Sequence, residues 1–124
     1  MRVLVIEPEK KPYLKEIDEG LDSLQREVDG YIQSIYPWNE PCAIICDDEA
    51  KLKGKPLNRA LRDENNRIYD IIAGTFLIVG LGEENFISLC DDLMERFKEE
   101  FAIPEMFLYI EDRLVIIPIE AVEK

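Results

Sequence analysis

Between Ile68 and Val79 the chain runs IYDIIAGTFLIV, and both alternating faces of this stretch are apolar. Ile68, Ile72, Phe76 and Ile78 lie on one side and Tyr69, Ile71, Leu77 and Val79 on the other. A strand covered on both faces has this pattern, so whatever fold forms must put apolar material on each side of it. The run is also longer than one ordinary strand, and Gly74 is where it should bend or bulge. Asp70 sets a carboxylate inside the run. An ionised carboxylate in apolar surroundings needs a partner, and an arginine from the preceding segment is the expected one. Otherwise the strand starts only at Ile71 and Asp70 is exposed or bonded to a turn amide. Asp70 and Gly74 are thus the two structural residues to follow.

The other elements follow from spacing. RVLVIEP is a short strand closed by Pro8, and PYLKEID alternates as its antiparallel partner. Leu21, Leu24 and Val28 fall on one helical face, with Asp18 or Gly20 to cap the start and Gly30 as the C′ stop. YIQSIYP and CAIICD are two further strands, DDEAK reads as a hairpin turn after them, and NNR is a second turn. Residues 83–101 read as the clearest helix. Phe86, Leu89, Cys90, Leu93 and Phe97 recur at helical spacing, and Glu83 and Glu84 complement the dipole of its first turn. After Pro104, MFLYI and RLVIIPI form two last strands about a turn at Glu111 and Asp112. This order predicts an α+β fold: a largely antiparallel (mixed) sheet packed on one face by one short and one long helix. Residues 1–124 form a single domain, large enough to bury roughly two-thirds of its unfolded surface.

Charge narrows what such a domain can bind. The net charge is −12, yet residues 51–67 hold six cations, Lys51, Lys53, Lys55, Arg59, Arg62 and Arg67, against only Asp63 and Glu64. An acidic protein repels nucleic acid and anionic membrane over most of its surface, so only this basic segment could attract them. The chain has no histidine, which removes imidazole acid–base catalysis and every Ser-His or Cys-His nucleophile pair. Its cysteines, Cys42, Cys46 and Cys90, are odd in number and lack a CxxC spacing, against both a disulfide framework and a zinc site. On a strand Cys42 and Cys46 share a face and belong to the core. No apolar run approaches the ~20 residues of a membrane span, and the N-terminus lacks a signal-peptide cleavage site. The expectation is a cytoplasmic protein without cofactor or metal.

RVLVIEP, EIDEGLDSLQREVDGYIQSIYP and PLNRALRDENNRIYDIIAGTFLIVG, in that order, resemble the domain-of-unknown-function family 3846 from Met1 to about Leu81. The resemblance implies a bacteriophage or conjugative-element context and a cytoplasmic location, and it brings no catalytic residues. Two turns depart from the family's pattern. DDEAK lacks a glycine before its lysine, and DENNR carries Asn-Asn where an acid-glycine pair is more usual. Asn tolerates the left-handed conformation, so the second hairpin survives the change.

Three groups of residues are candidate sites. Asn58, Arg59, Arg62 and Arg67 could bind an anion through guanidinium forks. In the scaffold reading, Asn58 instead caps a helical turn through RALRDE and Arg59 pairs with Asp63. Glu84, Asp91, Glu95 and Glu99 make an acidic stripe on the long helix, either a solvated face or a DNA-mimicking surface aimed at a protein. Trp38, in YPWNEP, is either a partner contact or a lid folded over the sheet edge. GLGEEN fails as a dinucleotide fingerprint, because its third glycine is missing and two acids stand where a pyrophosphate would sit. The expectation is a small, non-enzymatic accessory protein of a phage or mobile element that binds a protein partner. The alternative is an anion- or nucleic-acid-binding module that uses residues 51–67.

Overall fold

The computed structural model describes residues 1–119. Its centre is an antiparallel sheet in the order β2-β1-β7-β4-β3, built from β1 (Arg2–Ile6), β2 (Tyr13–Glu16), β3 (Ile32–Ile35), β4 (Cys42–Asp47) and β7 (Phe76–Leu81). Ile78 of β7 pairs with Leu4 of β1 on one side and with Ile44 of β4 on the other. That row continues through Ile6, Cys42, Cys46 and Phe76, and α2 (Asp91–Glu100) covers it with Met94 and Phe97. The opposite face presents Val3, Val5, Ala43, Ile45, Leu77 and Val79, and α1 (Leu21–Val28) covers it with Leu24 and Val28. The expected α+β class holds, but the helices lie on opposite faces rather than on one. Two apolar faces on the central strands require two covers.

The Ile68–Val79 run bends as expected and goes further: it changes sheets. β6 (Ile68–Ala73) pairs with β5 (Leu57–Arg62) in a separate two-stranded sheet, and β7 enters the central one. Between them Gly74 adopts φ +74, a left-handed conformation that strains any side chain, and its amide donates to the Pro56 carbonyl at 2.7 Å. Asn66 holds the β5–β6 turn at φ 61, as its tolerance for that region allows.

Four local expectations are corrected. RALRDE is no helical turn; Arg59 to Arg62 belong to β5 and Asp63 and Glu64 to the turn after it, so Asn58 caps nothing. DDEAK does not join paired neighbours, because it carries the chain from the central sheet to β5 in the other sheet. The helix expected over 83–101 begins only at Asp91. Residues before it form β8 (Phe86–Ile87), folded back on β7 through a turn in which the Gly82 amide donates to the Asn85 carbonyl at 2.9 Å. Glu83 and Glu84 therefore sit in a hairpin turn, and Asp91 and Asp92 fill the helix's first turn. Finally, α1 ends on a left-handed Asp29 (φ 56), not on Gly30. Gly30 is required for a different reason: a β-carbon there would land on the Asp47 carboxylate.

The last two strands form as expected. Among the described residues β9 (Glu105–Ile110) and β10 (Arg113–Pro118) pair only with each other, and Glu111 and Asp112 turn the chain with φ of 50 and 65.

Gly74 yields the first testable outcome. Gly74→Ala should lower unfolding stability by about 1–2 kcal/mol in urea titration, because the turn needs positive φ and the Lys55 side chain stands 3.0 Å from the added carbon. Asn66→Gly, at an exposed turn position already left-handed, should stay within ~0.5 kcal/mol of the parent.

Candidate functional site

The cations of residues 51–67 are the residues most apt to bind an anion, and the fold pairs most of them with acids: Lys51, Lys53, Lys55 and Arg62 are ion-paired, and Arg59 is buried. Asp47 ends β4 in a buried position, where its carboxylate lies 2.7 Å from Lys55 Nζ and 2.9 Å from Lys53 Nζ and accepts the Glu49 amide at 3.0 Å. Burial alone would push this carboxyl up. The hydrogen bonds from Lys55, from the Glu49 amide and from Lys53 outweigh it and hold the pKa down to about 2. Lys55 also donates to the carbonyls of Val28 and Asp29, so it closes the C-terminus of α1 as well. Lys51 pairs with Asp70 at 3.2 Å. Asp70 is thus ion-paired as expected, but to a lysine, and it accepts its neighbour Ile71's amide at 2.8 Å.

Asn58 and Arg59 are 0% and 1% exposed. A shift in the β5–β6 register between Leu57 and Arg59 allows both side chains to turn into the protein. Asn58 Nδ2 donates to the carbonyls of Ile6 and Gly74 at 2.9 and 2.8 Å, which ties β1 to the sheet-switching bend. Its Oδ1 accepts from Arg59 Nη1 at 2.8 Å. The Arg59 guanidinium makes four more bonds, all to backbone carbonyls: two to Phe101, one to Lys10 and one to Asn58. Five bonds match its five N–H donors. Burial draws its pKa down to about 10, with the Glu105 carboxylate pulling the other way, so it stays charged at neutral pH. It does not pair with Asp63.

Arg62 lies at the mouth of a groove of about 600 Å³ between β5, the end of α2 and the base of the β9–β10 hairpin. Its Nη2 meets the buried Glu105 at 2.7 Å, and the other Glu105 oxygen accepts the Ala60 amide at 2.9 Å. Glu105 therefore satisfies an edge amide of β5 and anchors the hairpin. Sequence reading missed its role, because an acid just after Pro104 looks like ordinary loop polarity. Of the four anion candidates only Arg67 is exposed without an ion pair among the described residues. The four do not converge.

The acidic candidates do lie outside. Asp91, Glu95 and Glu99 are exposed on α2, with Asp92 beside them. Asp91 meets Arg2 at 2.7 Å and Glu95 meets Lys98 at 3.9 Å. Glu84 stands apart from this stripe, in the β7–β8 turn. Trp38 is half-buried, its ring 4.2 Å from Phe97 and 6.3 Å from Phe101, and it lines the same groove as Arg62. Cys42 and Cys46 are buried in one cluster as expected, and burial pushes both thiols up to about 11. Among the described residues no helix is long and apolar enough to cross a membrane, and no three Cys, Asp or Glu side chains are grouped to hold a metal ion.

With this geometry in view, comparison with known proteins is informative in one respect. The family model described as Domain of unknown function (DUF3846) matches residues 1–102. The chain belongs to that family. The DUF3846 match takes in the central sheet, β5–β6 and both helices, about twenty residues more than the sequence motifs alone covered, and stops short of the β9–β10 hairpin. No curated protein and no solved structure matches the chain.

The two buried ionic centres can be probed separately. Arg59→Ala should destabilise by ~3 kcal/mol or more in urea unfolding, since it strands the carbonyls of Phe101 and Lys10. Arg59→Lys should fail to rescue it, because an ammonium cannot reproduce the planar fork. For Asp47 the sign follows from its lowered pKa. Its contribution is complete above the unfolded value near 3.8 and is lost as pH falls toward about 2. Thermal unfolding from pH 5 to pH 2 should show this loss in the parent, and Asp47→Asn should be less stable at pH 5 with a flatter acid limb.

Proposed function

We propose that this chain is a non-enzymatic accessory protein that binds a protein partner through its acidic surface, with the α2 face as the contact. One observation carries the reading: the segment that could have attracted an anion spends its cations internally. Lys51, Lys53, Lys55 and Arg62 are ion-paired and Arg59 is buried, while Asp92 and Glu99 stand outward without an ion pair among the described residues. With a net charge of −12, the outward field is negative, and it steers the protein toward a basic surface. A nucleic-acid-binding protein offers such a surface. Asp91, Glu95 and Glu99 would then occupy the place of phosphates, as a DNA-mimicking antagonist does. The family resemblance, with its bacteriophage and conjugative-element members, fits a mobile-element protein that acts in the cytoplasm on a host factor. The rival reading, anion or nucleic-acid binding through residues 51–67, has Arg67 as its one exposed cation without an ion pair among the described residues.

Capture from bacterial lysate on immobilised protein, with and without nuclease, tests this reading. A basic protein should be retained after nuclease treatment, released as salt rises, and displaced by duplex DNA. The double reversal Glu95→Lys with Glu99→Lys should weaken that capture by about tenfold or more. Retention of nucleic acid itself, lost in Arg67→Ala, would overturn the proposal in favour of the basic segment.

A further inference from the structure

The strand β3 ends the central sheet, and among the described residues no strand pairs with its outer edge. The Tyr31 carbonyl accepts the Asp48 amide at 2.8 Å, so Tyr31, Gln33 and Ile35 turn their backbone groups toward β4. Alternation then sends the N–H and C=O groups of Ile32 and Ser34 outward, where they have no partner among the described residues. Edge strands are commonly guarded by charge or a bulge, and β2 at the opposite edge carries Lys15 and Glu16. β3 has neither: no charged residue stands between Asp29 and Glu40, and its pairing with β4 runs in unbroken register. The side chains of Ile32, Ser34 and Tyr36 share the α1 face of the sheet, where the Tyr36 hydroxyl donates to Ser34 Oγ at 3.1 Å. On that face Ile32 and Tyr36 line a cleft of about 660 Å³ whose floor includes Leu24, Leu81 and Phe86. Glu19 flanks the cleft just before α1, and Glu83 and Glu84 flank it from the β7–β8 turn. All three are exposed, without ion pairs among the described residues. No lysine or arginine lines the cleft, and the Met1 ammonium beside it is held by Glu16 at 2.8 Å and the Ile17 carbonyl at 2.6 Å.

We infer that an extended segment of a partner protein adds to the β3 edge as an antiparallel strand and lays a lysine or arginine side chain into this cleft. Each part of the site specifies part of the occupant. Unpaired amides and carbonyls at the spacing of a strand are matched by the backbone of another strand, antiparallel as every pair in this sheet is. Such pairing supplies affinity, and pockets for alternate side chains supply selectivity. A partner residue opposite Ser34 stands on the same face as Ile32 and Tyr36, and the small Ser34 side chain leaves its way to the cleft open. The apolar floor suits an aliphatic stem and the three carboxylates suit a cationic head, which is how long basic side chains bury their stems. A second copy of this chain matches less well. Its own β3, paired about a two-fold axis, brings Ile32, Ser34 and Tyr36 to this face and leaves the carboxylates without a cation. The cleft lies across the central sheet from α2, so this contact stands independently of the one proposed for the α2 face.

NMR titration of the isotope-labelled chain with a capped synthetic peptide, Thr-Val-Thr-Lys-Thr-Val-Thr, tests this. The Ile32 and Ser34 amides should shift and gain protection from hydrogen exchange, with a dissociation constant of about 10–1,000 μM. Replacing the peptide's lysine by norleucine should weaken binding about tenfold, as should Glu83→Gln with Glu84→Gln in the protein. The two changes together should cost little more than either alone, because they remove the same contact. Methylating the lysine's backbone nitrogen should abolish binding, whereas methylating the nitrogen of the threonine after it should not. Glu95→Lys with Glu99→Lys should alter the affinity by less than about threefold, which separates failure here from failure of the α2 reading. Unshifted Ile32 and Ser34 amides at about 5 mM peptide would overturn the proposal. So would binding indifferent to backbone methylation, or equally tight with norleucine. A chain that dimerises through these same amides without peptide, seen by sedimentation velocity, would assign the edge to a second copy and overturn it too.

Discussion

The Arg59 guanidinium is the junction on which the arrangement of this protein depends. A buried cation is usually held by a facing carboxylate, yet this one is surrounded by carbonyl oxygens from three separate stretches: the β1–β2 connection at Lys10, the start of β5 at Asn58, and the end of α2 at Phe101. A delocalised, weakly hydrated guanidinium tolerates that setting where an ammonium would not. The contact with Phe101 also sets positive charge against the carbonyl end of a helix, where the macrodipole favours it. Fixing that helix end fixes Phe97 and Phe101, and with them the aromatic cluster that Trp38 covers. One side chain thus couples the small sheet, the helix and an edge of the central sheet.

Asn58 complements it. Its amide spans Ile6 and Gly74, so the point where the chain changes sheets is bonded to the core strand beside it. Neither residue's burial could be read from alternation, because the register shift in β5 suspends the period of two on which such readings rest. Asn58, Arg59, Ala60 and Leu61 are all buried in succession. The basic segment is misleading for the same reason. Counting charges along the chain gives an island of excess cations, whereas in space each lysine finds an acid from elsewhere, Asp47 or Asp70. Linear charge predicts surface potential only where side chains point outward, and that direction is a tertiary property.

What was legible came from two-sided patterns. The run from Ile68 to Val79 predicts cover on both faces; over Phe76–Val79 the structure supplies α1 on one and α2 on the other, whereas Ile68 and Tyr69, at the outer end of β6, are exposed. The bend at Gly74 was legible because its turn needs a backbone conformation that few residues adopt, and the final hairpin because two apolar runs flank the acids Glu111 and Asp112. The stretch from Gly82 to Cys90 was misread because Phe86, Leu89 and Cys90 fit a helical period by coincidence. Three apolar residues over one and a half turns cannot separate a helix from a strand that reverses. Gly80 held the better signal. A β-carbon there would strike the Ser88 carbonyl, so β7 admits β8 close alongside only at a glycine.

The surface divides the same way as the family match. Residues 1–102 form a body that carries most of the charge, with many of its cations held in ion pairs; beyond them stands an arm with almost no charge on its strands. These two surfaces select different contacts. An acidic face attracts at long range, loses strength as salt screens it, and discriminates by charge. An apolar arm attracts only on contact, is insensitive to salt in its main term, and discriminates by shape.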